Sequence, residues 1–342
     1  MMETTMSELN STAGVGKLLR KGIGKMVLAI AIPTSLIPAQ ALATPSSTYP
    51  SQTVRIVLPF PAGSSTDVLA RVVGQKLQEA WSQPVIVDNK PGALGTIGAS
   101  AVAKSRPDGH TLLLTISGIV QAPALMTKIP YDVVKDFVPV TLLCSSAVPF
   151  AIPASLPPTS LKDFVAYAKA NSSTVNFGSW GSGSTGHMLG MLLNRQADLQ
   201  MPHIPYKGLS PLVTDLLGGQ IAAGFTDLPS VLAQPKLRVL AVSGPRRIPE
   251  LPGVPTFTEL GYKSFDRLGW YGVFLPAGTP KPVVQKVHNA LSDIFNLPDV
   301  QSRLKEMALV KVINTPEQFQ KVVQDDADFY GRTYKQLGLE LN

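Results

Sequence analysis

A single cysteine, Cys144, excludes any disulfide within the chain. Charge is also scarce. Only 15% of the 342 residues are Asp, Glu, Lys or Arg, and the longest basic run is the pair Arg246-Arg247. A nucleic-acid partner calls for a basic stripe, and none can be drawn here despite a net charge of +7. After residue 43 no apolar run is long enough to cross a bilayer as a helix. The P-loop ending G-K-[S/T] is missing. So is the G-x-S-x-G elbow of a serine hydrolase, since Trp180 stands two residues before Ser182, and Ser182 two before Ser184. The four histidines, His110, His187, His203 and His288, are far apart and lack metal-ligand spacing.

What is present begins with an export signal. Lys17, Arg20, Lys21 and Lys25 form a basic segment, residues 26–38 are apolar but broken by Pro33, and Ala39-Gln40-Ala41 and Ala41-Leu42-Ala43 offer small-x-small cleavage sites. Residues 1–43 are therefore expected to be a cleaved secretory signal peptide. Their removal takes away four basic and two acidic residues, leaving 299 residues with a net charge of +5. That length exceeds one ordinary core and suggests two lobes. A weakly positive exported chain suits a diffusing anion. Cys144 lies in the β-like run 138–145 and is expected to be a buried thiol.

Short β-like runs at 54–58, 84–87, 111–116 and 138–143 alternate with helical patterns, the first marked by Leu69, Val72, Val73 and Leu77. This alternation argues a parallel α/β sheet. Pro149, Pro153, Pro157 and Pro158 then punctuate the chain, and the crossing into the second lobe is placed there. The second lobe holds a helix at 161–170, β-like runs at 174–177, 204–208, 221–225 and 237–242, and a helix at 211–217. Residues 270–275 look like a strand returning to the first lobe, followed by helices at 281–296, 299–307 and 316–337. The expected division is 44–147 for the first lobe, 148–270 for the second, and 271–342 for the return.

Two loops stand out. Residues 176–187 read Asn-Phe-Gly-Ser-Trp-Gly-Ser-Gly-Ser-Thr-Gly-His, between a β-like run and an apolar helix. Residues 59–67 repeat the strand–loop–helix order, with Ser64 and Asp67 resembling a capping box. Each loop opens a helix, where free N–H groups and a partial positive charge suit a small anion. Each could equally serve only to cap its helix, and Asp67 and His187 have local capping roles open to them. Gly181, Gly183 and Gly186 also match G-x-G-x-x-G, with Asp198 seventeen residues beyond Gly181. A dinucleotide-binding enzyme is the competing reading. Export to a compartment poor in NAD, and the lack of a clear strand before Asp198, argue against it.

An ordered set of motifs resembles the exported substrate-binding proteins of tripartite tricarboxylate transporters, the Bug family. It runs from Pro59-Phe60-Pro61-Ala62-Gly63-Ser64-Ser65-Thr66-Asp67 through Asn89-Lys90-Pro91-Gly92-Ala93, Pro107-Asp108-Gly109-His110-Thr111-Leu112, the loop ending at His187, and Pro205-Tyr206-Lys207-Gly208, to Trp270-Tyr271-Gly272 and Pro276-Ala277-Gly278-Thr279-Pro280. The resemblance covers roughly residues 49–339. It implies a two-lobed, periplasmic-binding-protein-like α/β fold, each lobe a mostly parallel sheet flanked by helices. It implies a periplasmic receptor without catalysis or cofactor, monomeric, closing on a small carboxylate and passing it to integral-membrane transporter subunits. An orphan receptor feeding a signalling partner is the alternative. The candidate ligand-binding set is Ala62, Gly63, Ser64, Ser65, Thr66 and Asp67 from the first loop and Ser179, Gly181, Ser182, Gly183, Ser184 and His187 from the second, with Ser117, Tyr206, Thr226 and Asp227. The N–H groups of Gly63, Ser64 and Gly183 are expected to join the hydroxyls in gripping the carboxylate. Gln121-Ala122-Pro123 departs from the Asn-Pro common in the family at that point.

Overall fold

Alternation within the strands decides which layer each residue enters. Along β1 (Val54–Leu58), Ile56 and Leu58 face one way and Val57 the other; along β3 (Thr111–Ile116), Leu112 and Leu114 oppose Leu113. The computed structural model describes residues 49–341, so the expected signal peptide lies outside the described residues. These strands belong to a six-stranded sheet ordered β11-β4-β10-β3-β1-β2, with β2 Val85–Asn89, β4 Phe137–Ser146, β10 Gly269–Pro276 and β11 Val310–Lys311. A five-stranded sheet, ordered β7-β6-β8-β5-β9, is formed by β5 Pro149–Pro153, β6 Phe177–Ser179, β7 His203–Pro205, β8 Ala223–Phe225 and β9 Leu237–Val242.

Helices close both faces of each sheet. Leu69, Val73 and Leu77 of α1 (Ser65–Trp81) and Val284, Val287 and Leu291 of α8 (Lys281–Ile294) pack with Ile56, Leu112, Val140 and Val273 on the outer face of the first sheet. Leu212 and Leu216 of α6 (Leu209–Leu217) cover the outer face of the second. The inner faces share one core. Leu113 and Phe274 of the first sheet and Phe150, Phe177 and Phe225 of the second join it, together with Leu189 and Leu193 of α5 (Thr185–Ala197) and Tyr330 and Tyr334 of α10 (Pro316–Leu337). Asp326 of α10, 2% exposed, accepts from the Trp270 indole at 2.7 Å and from Arg267 at 2.9 Å, which ties α10 to β10.

The α/β architecture with two sheets agrees with expectation, but both sheets are mixed rather than mostly parallel. β1 pairs in parallel with β2 and β3, and β6 with β7 and β8. The strands that enter from the other sheet run against their neighbours: β10 against β3 and β4, and β5 against β8 and β9. The chain passes from β4 to β5 through only residues 147–148, and returns from β9 to β10 through residues 243–268. Cys144 is buried and free, as expected, and burial pushes its thiol pKa up.

Four elements escape the sequence patterns. β5 was masked by Pro149 and Pro153, which occupy its two ends, where a missing N–H is tolerated. α3 (Gly118–Leu125) was masked by Pro123. The carbonyl that Pro123 cannot serve, Ile119 O, accepts instead from the Tyr131 hydroxyl at 3.1 Å. α7 (Leu228–Leu232) and β11 are too short for a period to register. The remaining helices are α2 (Thr96–Ala103), α4 (Leu161–Ala170) and α9 (Pro298–Glu306).

The packing of α5 against β6 gives a test. A Cβ on Gly190 would drive into the Phe177 ring. Ala for Gly in mid-helix ordinarily gains about 1 kcal/mol, while overpacking costs about 1–3 kcal/mol. Phe177 is fully buried and cannot swing away. Gly190→Ala is therefore expected to lower unfolding free energy by up to about 2 kcal/mol in urea melts; a higher midpoint would show that the α5–β6 contact is looser than described.

Candidate functional site

Two helices begin in the same way on opposite sides of one cavity. Ser64 stands before α1 in extended backbone, φ −69°, ψ 160°, and its Oγ accepts the Asp67 N–H at 3.2 Å. Ser184 stands before α5 at φ −66°, ψ 161°, and its Oγ accepts the His187 N–H at 3.2 Å. A glycine at positive φ precedes each serine: Gly63 at 82° and Gly183 at 73°. The side chain three residues after the cap then reaches back to that glycine. Asp67 Oδ2 accepts the Gly63 N–H at 2.9 Å, and His187 Nδ1 accepts the Gly183 N–H at 3.1 Å. The result is a capping box whose return bond lands one residue earlier than usual.

Asp67 and His187 therefore serve the backbone, and neither lines the cavity. Asp67 also accepts two bonds from Arg71, at 2.9 and 3.1 Å, and one from Asn89 at 2.9 Å. The Arg71 guanidinium holds its carboxyl down to about 2. The expected N–H donors need revision. Gly63 and Gly183 give theirs to Asp67 and His187, and Ser64 gives its own to Pro61 O. The N–H groups of Ser65, Thr66, Ser182 and Thr185 have no acceptor among the described residues, and all four residues line the cavity. They are orphan donors of the first helical turn and its approach.

The cavity has a volume of about 1180 Å³. Of the candidate set, Gly63, Ser64, Ser65, Thr66, Ser117, Gly181, Ser182, Gly183, Ser184, Thr226 and Asp227 line it, and Ala62, Asp67, Ser179, His187 and Tyr206 do not. Tyr206 donates to Asp215 at 2.8 Å. Ser179 sits behind the second loop as its anchor. Its Oγ donates to Gly181 O at 3.0 Å and lies 3.1 Å from Ser184 Oγ and 2.7 Å from His203 Nε2. His203 stacks on His187 with ring centroids 3.8 Å apart. Burial pushes both imidazoles down to about 4, with the neighbouring ring adding to the effect on His203, so both are neutral at pH 7.

Some cavity residues had no place in the candidate set. Gln121 of α3 donates to Thr185 Oγ1 at 2.9 Å, joining the two halves at the back of the cleft. Tyr334 donates to Gly183 O at 3.0 Å from the same place. Tyr271 lines the cavity, with burial pushing its phenol up to about 12 and a hydrogen bond with Ser65 partly opposing that. Gln121 and Tyr271 lay inside quoted motifs, whereas His203 had no signal, because its partners lie across a parallel strand pair. The dinucleotide reading fails on geometry. Asp198 lies beyond the far end of α5, 13 residues and about 20 Å from the loop, with its side chain 98% exposed.

The family described as tripartite tricarboxylate transporter family receptor matches residues 69–339. The periplasmic binding protein BugD is 33% identical, with 85% of this chain and 99% of BugD covered and a TM-score of 0.74. Rpa4515 of Rhodopseudomonas palustris, solved with adipate, is 29% identical, covering 85% and 99% with a TM-score of 0.76. MatC of the same organism, solved with bound malate, is 30% identical, covering 83% and 99% with a TM-score of 0.72.

The stacked imidazoles predict a pH dependence. Their folded pKa values lie below the ordinary 6.5, so between about pH 6.5 and pH 4 the unfolded chain binds the extra protons. Stability should fall as pH drops through that window, by an amount reduced by the partial solvent exposure of both rings. The Asp67 contribution is lost in a separate window, from the ordinary carboxyl value of 3.8 down to about 2. Urea melts at pH 7, 5.5 and 4.5 should show the first decline, and His203→Asn should flatten it by about half. A level profile in the parent would mean that the imidazoles are not held neutral by burial.

Proposed function

The chain belongs to the tripartite tricarboxylate transporter receptor family, and from that premise we propose that it captures a small organic carboxylate in the cleft and delivers it to integral-membrane transporter subunits. The family is one of receptors, not enzymes. The observation that carries the reading is the matched pair of helix starts, each placing two residues with unpaired N–H groups among the lining of one cavity. Helix N-termini favour anions through these donors and the aligned peptide dipoles. Adipate and malate in the related structures support a carboxylate ligand. Likeness to a periplasmic binding protein supports the periplasm as the working compartment; cleavage of residues 1–43 and a monomeric working form complete the proposal.

Capture would involve rotation of lobe 44–147 and its return segment 271–342 against lobe 148–270. The crossings at 147–148 and near 268 would absorb the change in backbone angles, since they are short connections between sheets. Ser65 and Thr66 would hold the carboxylate from one side, and Ser182 and Thr185 from the other. Ser64 and Ser184 would act through the backbone, because their hydroxyls are engaged in capping.

The test is calorimetry with a carboxylate first shown to bind in a thermal-shift screen of mono-, di- and tricarboxylates. A ligand at a hundred times its Kd should add about 2.7 kcal/mol to stability. Ser65→Ala and Ser182→Ala should each weaken binding about tenfold to a hundredfold, the worth of one hydrogen bond to a charged group. Gly183→Val should do more, because its φ of 73° disfavours a side chain and a Cβ there meets Leu125 and Leu341 at 2.8 Å. Parent-like binding by both serine variants while folded would place the carboxylate elsewhere.

A further inference from the structure

The cavity's lining narrows the ligand beyond the word carboxylate. Among the described residues that line it there is no Lys, Arg or His, and Asp227 is the one charged side chain. A second carboxylate on the ligand would find no cation to meet it. Much of the wall is apolar instead. Leu209, Val213 and Leu217 fall at i, i+4 and i+8 of α6 and present one apolar stripe to the cavity, joined by Trp180 and Leu94. Leu94 is 46% exposed in this wall and is held there at a cost: its φ is 54°, and that of Ala93 is 46°. Two consecutive side-chain-bearing residues in the left-handed region are strained, and such strain gathers at ligand clamps.

Asp227 is placed to meet a positive group. It follows β8, the parallel neighbour of β6, so it rises from the same sheet edge as the loop carrying Ser182. Its Oδ1 accepts the Ser230 N–H at 3.3 Å, while its Oδ2 has no partner among the described residues. It lines the same cavity as Tyr271 and as Ser65 of the first helix start. A bare carboxylate docked on the two helix starts would thus lie near a like charge, which is unfavourable. An ammonium on the adjoining carbon converts that repulsion into an ion pair.

We infer that the cleft takes an apolar α-amino acid, with its carboxylate on the helix starts of α1 and α5, its ammonium on Asp227, and its side chain against Leu94, Trp180 and Leu217. The inference rests on the carboxylate reading above and specifies the rest of the molecule. The zwitterion carries no net charge, which suits a cavity without basic residues, and its body covers apolar wall that malate would leave wet.

Calorimetry on the mature protein with L-leucine, L-phenylalanine, 3-phenylpropanoate, malate and adipate separates the cases. At least one of the two amino acids should bind more tightly than malate and adipate, and L-phenylalanine at least tenfold more tightly than 3-phenylpropanoate, which has the same body without the ammonium. Asp227→Asn keeps a capping side chain before α7, so the fold is retained. It should weaken L-phenylalanine tenfold to a hundredfold and leave 3-phenylpropanoate bound as tightly or more tightly, since the like charge beside its carboxylate is removed. The comparison of L-phenylalanine with 3-phenylpropanoate on the parent stands even where the variant is unstable. Tighter binding of malate or adipate than of both amino acids overturns the inference and leaves the carboxylate reading intact, as does an Asp227→Asn protein that binds L-phenylalanine like the parent. If none of the five binds, the inference falls, and the carboxylate reading then rests on the wider screen.

Discussion

The cleft depends on how two helices start. At each start a glycine N–H that could have pointed at a ligand is drawn back by the side chain three residues after the cap, Asp67 in one case and His187 in the other. That bond fixes the loop and leaves the next N–H groups, those of Ser65 and Thr66 on one side and Thr185 on the other, without partners among the described residues, in residues that line the cavity. The two devices differ in chemistry. Asp67 is locked by Arg71 and Asn89 from outside the loop, whereas His187 is locked by stacking on His203, which in turn meets Ser179. A charged support serves one side and a neutral, buried one the other, yet the backbone geometry produced is nearly the same.

The core layout explains why these starts meet. The inner faces of both sheets share one apolar cluster, and α10 runs through it, with Tyr330 and Tyr334 buried and Asp326 bonded to Trp270 of β10. At its far end the chain pairs with α3, Leu341 N–H donating to Leu125 O, next to the Gly183 loop. Gln121 and Tyr334 reach the α5 loop from the same region. The back of the cleft is thus knit by polar and apolar contacts across both sheets, and the cavity opens in front of them.

Much of this was legible in the residues. The caps Ser64 and Ser184 could be read because a hydroxyl residue before an apolar periodic run has one dominant use. The strands of the first sheet could be read because buried positions on both faces leave near-continuous apolar runs such as Val54–Leu58. Tertiary substitutions were not legible. Pro123 argues against a helix until Tyr131, eight residues on, is seen to satisfy the orphaned carbonyl of Ile119. Pro149 and Pro153 argue against a central strand until they are seen at its ends. Asp67, Ser179 and His187 carry chemistry that suits a ligand, but only the folded chain shows each of them spent on the protein. The same chemistry in Asp227 retains one unpartnered oxygen, a distinction that no local pattern could draw.

An ionised carboxylate offers about four lone-pair sites. The cavity lining offers the unpaired N–H groups of Ser65 and Thr66 in the first turn of α1 and of Ser182 and Thr185 at the start of α5, together with the hydroxyls of Ser65 and Ser182. For the proposed ligand, neither half can satisfy the charge alone, and a carboxylate left half-bonded in a closing, drying cleft costs more than one left in water. Under the proposed rotation, binding energy and closure would be linked through the same donors: an open form would hold the ligand by part of its bonds, and the rest would become available only as the sheets approach. Neutral N–H donors also make the hold directional. A lysine in the cavity would act as a point charge and attract an anion from many angles, while fixed backbone donors reward only a group whose lone pairs match their spacing. Selectivity for the remainder of the ligand then falls to the walls, where one acid and an apolar surface, rather than a field of positive charge, set the terms.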